Sequence, residues 1–197
     1  MRFILASGSQ IRSQLLTNAG IAHEVQIARI DEAAIRAGLE AEGASLRDIA
    51  DALAEYKARK VGSKAPEALV LGCDQVAEVD GRILSKPETP EEARNQLATL
   101  SGKTHRLLSA AVIYTGSEPV WRHVGVVRMQ MRVLSPGYIE DYVERNWDSI
   151  RHSVGAYKLE EEGVRLFSQV TGDYFNVLGL PLTELISYLI VRGELTI

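Results

Sequence analysis

The sequence predicts a mixed α/β fold, a β-sheet with flanking helices, on three observations. Short apolar runs bounded by Gly and Ser, such as Phe3-Ile4-Leu5-Ala6 and Leu69-Val70-Leu71, have the length of buried strands. Other segments carry apolar residues three and four apart behind Ser or Thr caps, which is helical spacing. Strands and helices alternate irregularly, which argues against a simple doubly wound sheet. At 197 residues and 46% apolar content, the chain fits one large domain or two small, intimately packed lobes with a sizeable core. No repeat, low-complexity segment or linker interrupts it, so residues 1–197 are expected to form a single domain.

The first strand, Phe3 to Ala6, feeds Ser7-Gly8-Ser9 and then a helix with Ile11, Leu15 and Ala19 on one face, ending at Gly20. A strand, a Gly/Ser loop and a helix N-terminus offer free N–H groups and a helix dipole to an anion. Arg12 sits in that first turn, where it is either a solvated cation or part of the anion site. A second strand is expected over His23-Glu24-Val25-Gln26-Ile27, leading to Asp31-Glu32, a pair that can cap a helix or bind metal. Gly38 and Gly43 suggest a loose helix or loop. Ser45 caps a stronger helix reaching about Val61, with Leu46, Ile49, Ala50 and Leu53 on one stripe. Lys57 falls on that stripe, so it either snorkels or points into a cleft, whereas Arg59, Lys60 and Lys64 read as solvated. As a phosphate ligand it should be replaceable by Met at little cost in stability and a large cost in activity.

The central stretch runs from Leu69 to Leu100. Its strand is expected to stop at Gly72, with Asp74 just beyond, and Asp80-Gly81 then favours a tight hairpin turn. Arg82-Ile83-Leu84 returns and delivers Ser85-Lys86-Pro87. Thr89, Pro90 and Glu92 form a capping-box pattern, and Ser101-Gly102-Lys103 ends the helix. Leu107 to Tyr114 is apolar on both faces, an interior strand, and Glu118-Pro119 turns the chain. Val127, Met129, Met131 and Val133 alternate inward against Arg128, Gln130 and Arg132 outward. Ser135-Pro136 opens a helix to about Arg145, Val164 to Val170 reads as a strand, and a very apolar helix spans about Leu182 to Val191.

Several chemistries are excluded. A net charge of −4 makes a general nucleic-acid surface unexpected. The single cysteine, Cys73, forms no internal disulfide, and is read as a small residue beneath the site rather than a nucleophile. His23, His105, His123 and His152 lack metal-ligand spacing, and neither a Walker loop nor GxGxxG occurs. No signal peptide precedes the first strand, and Leu185 to Val191 falls far short of the ~20 residues of a membrane span. A soluble cytoplasmic protein, with no membrane or nucleic-acid partner, is expected. What remains is a carboxylate, Asp74, near one strand end and a lysine, Lys86, past its neighbour, a pairing suited to activating water and holding phosphate.

These residues line up with a known family. The chain resembles the Maf family, nucleoside triphosphate pyrophosphatases once named septum-formation inhibitors. The matching pieces are Leu5-Ala6-Ser7-Gly8-Ser9 with Arg12, Asp31-Glu32, Tyr56-Lys57-Ala58, Leu71-Gly72-Cys73-Asp74-Gln75, Ser85-Lys86-Pro87, Leu100-Ser101-Gly102, Gly155-Ala156-Tyr157 and Val177-Leu178-Gly179-Leu180-Pro181. The resemblance implies a mixed, strongly twisted sheet with flanking helices and two lobes around a deep cleft, as in inosine triphosphatases, and usually a homodimer. It implies hydrolysis between the α- and β-phosphates of a nucleoside triphosphate, giving monophosphate and pyrophosphate, with a divalent cation such as Mg²⁺, Mn²⁺ or Co²⁺. By motif, Asp74 is implied as catalytic carboxylate and metal ligand, Glu32 as metal ligand, and Ser7, Arg12, Lys57, Lys86 and Lys158 as phosphate or substrate ligands.

The chain departs from the family at Ser9-Gln10-Ile11-Arg12, where Ser-Pro-Arg-Arg or Ser-Pro-Trp-Arg is usual. Three positions tune base choice in the family, and here they hold Ile11, Gln75 and Glu160. Gln75 and Glu160 are similar to the branch acting on 7-methyl-GTP, so such a purine is favoured over dTTP or UTP. The tryptophan of that branch is missing. An inosine triphosphatase-like purine pyrophosphatase, or a nucleotide-binding regulator of cell division without efficient catalysis, is the alternative.

Overall fold

The structure, a computed structural model, describes residues 2–197. Its strands are β1 (Phe3–Leu5), β2 (Glu24–Val25), β3 (Leu69–Val79), β4 (Arg82–Leu84), β5 (Thr104–Thr115), β6 (Glu118–Met131) and β7 (Phe167–Thr171). Its α-helices are α1 (Gln10–Asn18), α2 (Glu32–Ala41), α3 (Leu46–Gly62), α4 (Pro90–Leu100), α5 (Pro136–Ile150), α6 (Tyr174–Val177) and α7 (Leu182–Val191). The seven strands form one sheet in the order β2-β1-β3-β5-β6-β7, with β4 paired to β3. β1 runs parallel to β2 and β3, whereas β3–β4 and β6–β7 are antiparallel, so the sheet is mixed, as expected. The chain forms two compact units. The first takes the chain up to Asp74, with Leu108–Gly125 and Gly179–Ile197; the second takes Gln75–Leu107 and Val126–Leu178.

In the first unit, Ile4, Ala6 and Val70 pack with Val61, Ala65 and Ala68. Ser45 caps α3, its Oγ accepting from Asp48 N at 3.2 Å, and Ile49, Ala50, Leu53, Lys57 and Val61 all fall on the buried face. Leu46 is only half-buried. α1, nine residues long, buries Leu15 and Leu16 rather than a full Ile11–Leu15–Ala19 stripe, Ile11 and Ala19 being only half-buried. The second strand shrinks to Glu24–Val25, both exposed at the sheet edge. The region of Gly38 is a regular helix, α2, capped by Asp31, whose Oδ1 accepts from Ala34 N at 3.0 Å.

Gly72 does not end its strand. β3 continues through it to Val79, so Asp74 lies within a strand and not after one. The glycine has another purpose: a Cβ there would collide with the Ala54 carbonyl oxygen and stand 2.6 Å from the Ala58 nitrogen. Its bare backbone therefore lets α3 lie directly on β3, which brings Lys57, between Ala54 and Ala58, down onto the next residues of the strand.

In the second unit, Ala93, Leu97 and Leu100 of α4 and Ile139, Tyr142 and Val143 of α5 share one core with Ala77, Val79, Leu107, Val127, Met129 and Met131. The β3–β4 hairpin turns at Asp80 (φ 52°) and Gly81 (φ 78°), both in the left-handed region that a type I′ turn requires. Thr89 Oγ1 accepts from Glu92 N at 3.2 Å, but Glu92 reaches back to Glu88 N rather than to the cap itself. Three further sequence expectations shift. The turn before β6 falls at Gly116 and Ser117, with Pro119 inside the strand. Val133 lies beyond the end of β6, after an irregularity between Gln130 and Met131, and is 87% exposed. α5 extends to Ile150, and residues Glu162–Leu166 form a 3₁₀ turn before β7.

Candidate active site

The first unit gathers five of the residues singled out from the sequence. Between β1 and α1, the chain turns through Ser7-Gly8-Ser9, and Ser7 Oγ accepts from Ser9 N at 3.3 Å. Ser9 is the N-cap of α1, its Oγ facing Arg12 N at 3.5 Å. A cation in a first helical turn opposes the helix dipole, and fixed oxygen acceptors compensate. The Arg12 guanidinium donates from Nη1 to Ser7 Oγ at 3.2 Å and to the Cys73 carbonyl at 3.3 Å. Its Nε donates to the Gly179 carbonyl at 2.7 Å.

On the other side of Cys73, Lys57 Nζ meets Asp74 Oδ1 at 2.7 Å and Glu32 Oε1 at 3.0 Å, and faces the Cys73 carbonyl at 3.5 Å. The ammonium donates to Asp74 Oδ1 and to the Cys73 carbonyl, and Glu32 joins it as an ion pair. The Lys57 and Asp74 side chains are 9% and 7% exposed, whereas that of Glu32 is 47% exposed. Lys57 thus ties a buried strand carboxylate to an open helical one. Asp31 caps α2 and Glu32 turns to Lys57, so of the adjacent acids one caps the helix and the other pairs with the lysine.

Asp74 Oδ2 is buried and has no hydrogen-bond partner among the described residues. A buried carboxylate oxygen left in that state is costly unless a further ligand meets it. Among the described residues no group of three or more His, Cys, Asp or Glu is arranged to hold a metal ion. A magnesium-type cation does not need one: it binds through one or two carboxylates and takes waters and phosphate oxygens for the rest. Asp74 and Glu32 fit that demand in number and in hardness.

Cys73 is fully buried, and burial pushes its thiol up to about 11, which disfavours the thiolate that a nucleophile needs. Its carbonyl does more than its side chain, accepting from both Arg12 and Lys57. That acceptor and the Gly179 carbonyl were not legible as site groups, because a backbone oxygen has no residue signature.

In the second unit the other candidates stand as follows. The Gln75 amide donates to the Asn176 and Val177 carbonyls, both at 3.0 Å. Lys86 lies past β4 and is exposed. Lys158 is half-buried and pairs with Glu161 at 3.3 Å, whereas Glu160 is exposed and makes no ion pair among the described residues. Ile11, in the first unit, is half-buried at the start of α1.

Of the histidines without metal-ligand spacing, His105 is buried against Tyr157, Nε2 lying 2.6 Å from the phenol oxygen. His23 bridges Ser13 and the Ile21 carbonyl. No helix among the described residues is long and apolar enough to cross a membrane.

Comparison with known proteins agrees with the motifs. A protein of Ruegeria sp. (strain TM1040), named nucleoside triphosphate pyrophosphatase, is 62% identical over 190 residues, covering 96% of both chains. A protein of Mesorhizobium japonicum, named 7-methyl-GTP pyrophosphatase, is 44% identical over 98% of both chains. One of Brucella abortus biovar 1 with the same name is 46% identical over 96% of this chain and 95% of its own. The family described as Maf-like protein matches residues 2–191, and the chain belongs to that family.

Proposed function

We propose that the protein is a nucleoside triphosphate pyrophosphatase that splits the α–β phosphoric anhydride bond, with Asp74 as its catalytic carboxylate. The observation that carries this reading is the buried Asp74 carboxylate, one oxygen held by Lys57 and the other without a hydrogen-bond partner among the described residues. Its support is the naming of the close relatives. A carboxylate fixed through one oxygen presents the other as a base. In the proposed step the water oxygen bonds to phosphorus as the bridging P–O bond breaks. Asp74 Oδ2 takes the water proton, and pyrophosphate leaves with the bond's electron pair.

A triphosphate brings several negative charges to a site that already holds two carboxylates, so cations must offset them. Arg12 and Lys57 supply two, and the exposed Lys86 and half-buried Lys158 are assigned to the same task by motif. A divalent cation held by Asp74 and Glu32 would supply the remaining charge neutralisation and polarise the phosphoryl oxygens. Ser7, with Arg12 donating to its hydroxyl, belongs to the phosphate loop.

The favoured substrate is a purine of the 7-methyl-GTP type. Glu160 is exposed and makes no ion pair among the described residues, and a carboxylate accepts from the N1–H and N2–H₂ edge of guanine, whereas pyrimidines offer fewer donors. Gln75 and Glu160 support this choice, as do relatives named for that nucleotide. Ile11 offers no stacking surface for the cationic base, so the preference should be weaker than a tryptophan would give. The test is pyrophosphate release across a nucleotide panel with Mg²⁺, Mn²⁺ or Co²⁺. Release from 7-methyl-GTP above dTTP and UTP is expected. Binding without release under every metal would favour a nucleotide-binding regulator instead.

A further inference from the structure

We infer that Gly179 is a positioning residue, setting the direction in which Arg12 offers its guanidinium to phosphate. The inference rests on the reading of Arg12 as a phosphate ligand. The Gly-Leu-Pro turn before α7 holds Gly179 at φ 89°, a conformation that side-chain-bearing residues rarely adopt. In that conformation its carbonyl oxygen lies 2.7 Å from Arg12 Nε. Nη1 is taken by Ser7 Oγ and the Cys73 carbonyl. Among the described residues, Nη2 makes no hydrogen bond, so the guanidinium is anchored through two nitrogens and presents the third.

The missing side chain matters as much as the carbonyl. A Cβ on Gly179 would stand 3.1 Å from Nη2 and 3.2 Å from Nε, tighter than ordinary carbon–nitrogen contact. It would press on the presented nitrogen and on the anchored one together. The Arg12 fork would have to give by a few tenths of an ångström while tied to three acceptors, two of them backbone carbonyls. A rigid fork is worth more to an anion than a mobile one because less rotamer freedom is lost on binding.

A φ of this sign makes any substitution strained, so the control must share the strain without touching Arg12. Gly193 does so: its φ is 79° and an added Cβ would meet nothing within 4 Å. Gly179→Ala and Gly193→Ala should therefore lose similar melting temperature from the backbone, while only the first alters the site. The experiment measures KM and kcat for 7-methyl-GTP, and inhibition by inorganic pyrophosphate, in both variants and in Arg12→Ala. Gly179→Ala is expected to raise KM and the pyrophosphate inhibition constant by about tenfold, roughly one charge-assisted contact. Gly193→Ala should stay within about twofold. In an Arg12→Ala background, Gly179→Ala should add no further change in KM.

If Gly179→Ala binds pyrophosphate like Gly193→Ala while Arg12→Ala is impaired, the inference is overturned and the reading of Arg12 stands. If Arg12→Ala itself binds normally, that reading falls and takes the inference with it. Should Gly179→Ala fail to fold, the double variant with Arg12→Ala, relieved of the guanidinium, must fold; its failure to do so would also overturn the inference.

Discussion

At the level of single residues, the geometry changes what Lys57→Met is expected to do. Helical phase alone places Lys57 on the apolar stripe of α3 and suggests that Met would be tolerated there. The structure puts its ammonium on Asp74, whose side chain is 7% exposed. Removing one partner of a buried pair strands the other charge, at a cost of about 3–5 kcal/mol. Lys57→Met should therefore lose stability as well as activity, read by urea unfolding beside turnover. The control Arg59→Met, about 200° from Lys57 round the helix by two residue steps, is exposed and should change neither by much. Asp74→Asn removes the basic oxygen and should cut turnover by about 10²-fold or more, with a smaller effect on nucleotide binding. Near-normal turnover in that variant would move the chemistry to Glu32. The charged members of the site were legible because carboxylate and ammonium groups carry their chemistry in their side chains. The Cys73 and Gly179 carbonyls were not, since only tertiary structure decides where a peptide oxygen points.

At the level of elements, α3 on β3 is the contact that builds the site, and Gly72 permits it. Gly72→Ala would force a methyl group into the Ala54 carbonyl and the Ala58 nitrogen, neither of which can rotate away. Overpacking against backbone should cost about 3 kcal/mol or more. Even a folded Gly72→Ala protein should have weakened Lys57–Asp74 pairing, so its activity should fall further than its stability explains. Unfolding midpoints and turnover measured on the same sample check this. The caps at Ser45, Thr89 and Ser135 and the Asp80-Gly81 turn were legible because their hydrogen bonds and dihedral demands lie within a few residues. The purpose of Gly72 was not, because a glycine that ends a strand and one that admits a helix look alike until the helix is in place. Val133 misled for a related reason: alternation says which face a residue takes, but not where pairing stops.

At the level of the whole molecule, stability should fall in acid through a group that is not among the candidate site residues. Burial lowers the His105 pKa from 6.5 to about 4, opposed by the nearby Glu78 charge. Above pH 6.5 the histidine is neutral in both folded and unfolded chains and contributes no slope. As pH drops towards 4, the unfolded chain takes up a proton that the folded one resists, so stability is lost across that window. The shift corresponds to about 3 kcal/mol in full. His105→Gln, which gains no proton, should flatten that part of the stability–pH profile in urea unfolding, whatever it costs in packing. The mixed sheet was readable as a class from the irregular alternation of elements. The strand order β2-β1-β3-β5-β6-β7 was not, because pairing between distant strands leaves no local pattern. The proposed reaction is defined by which bond is broken and by which carboxylate. It is tested most directly by identifying the products of 7-methyl-GTP turnover by ³¹P NMR, with wild type beside Asp74→Asn in the presence of Mg²⁺. Wild type should give nucleoside monophosphate and pyrophosphate in equal amounts, and the variant a rate lower by about 10²-fold or more. Nucleoside diphosphate with inorganic phosphate, or an unchanged rate in Asp74→Asn, would contradict it.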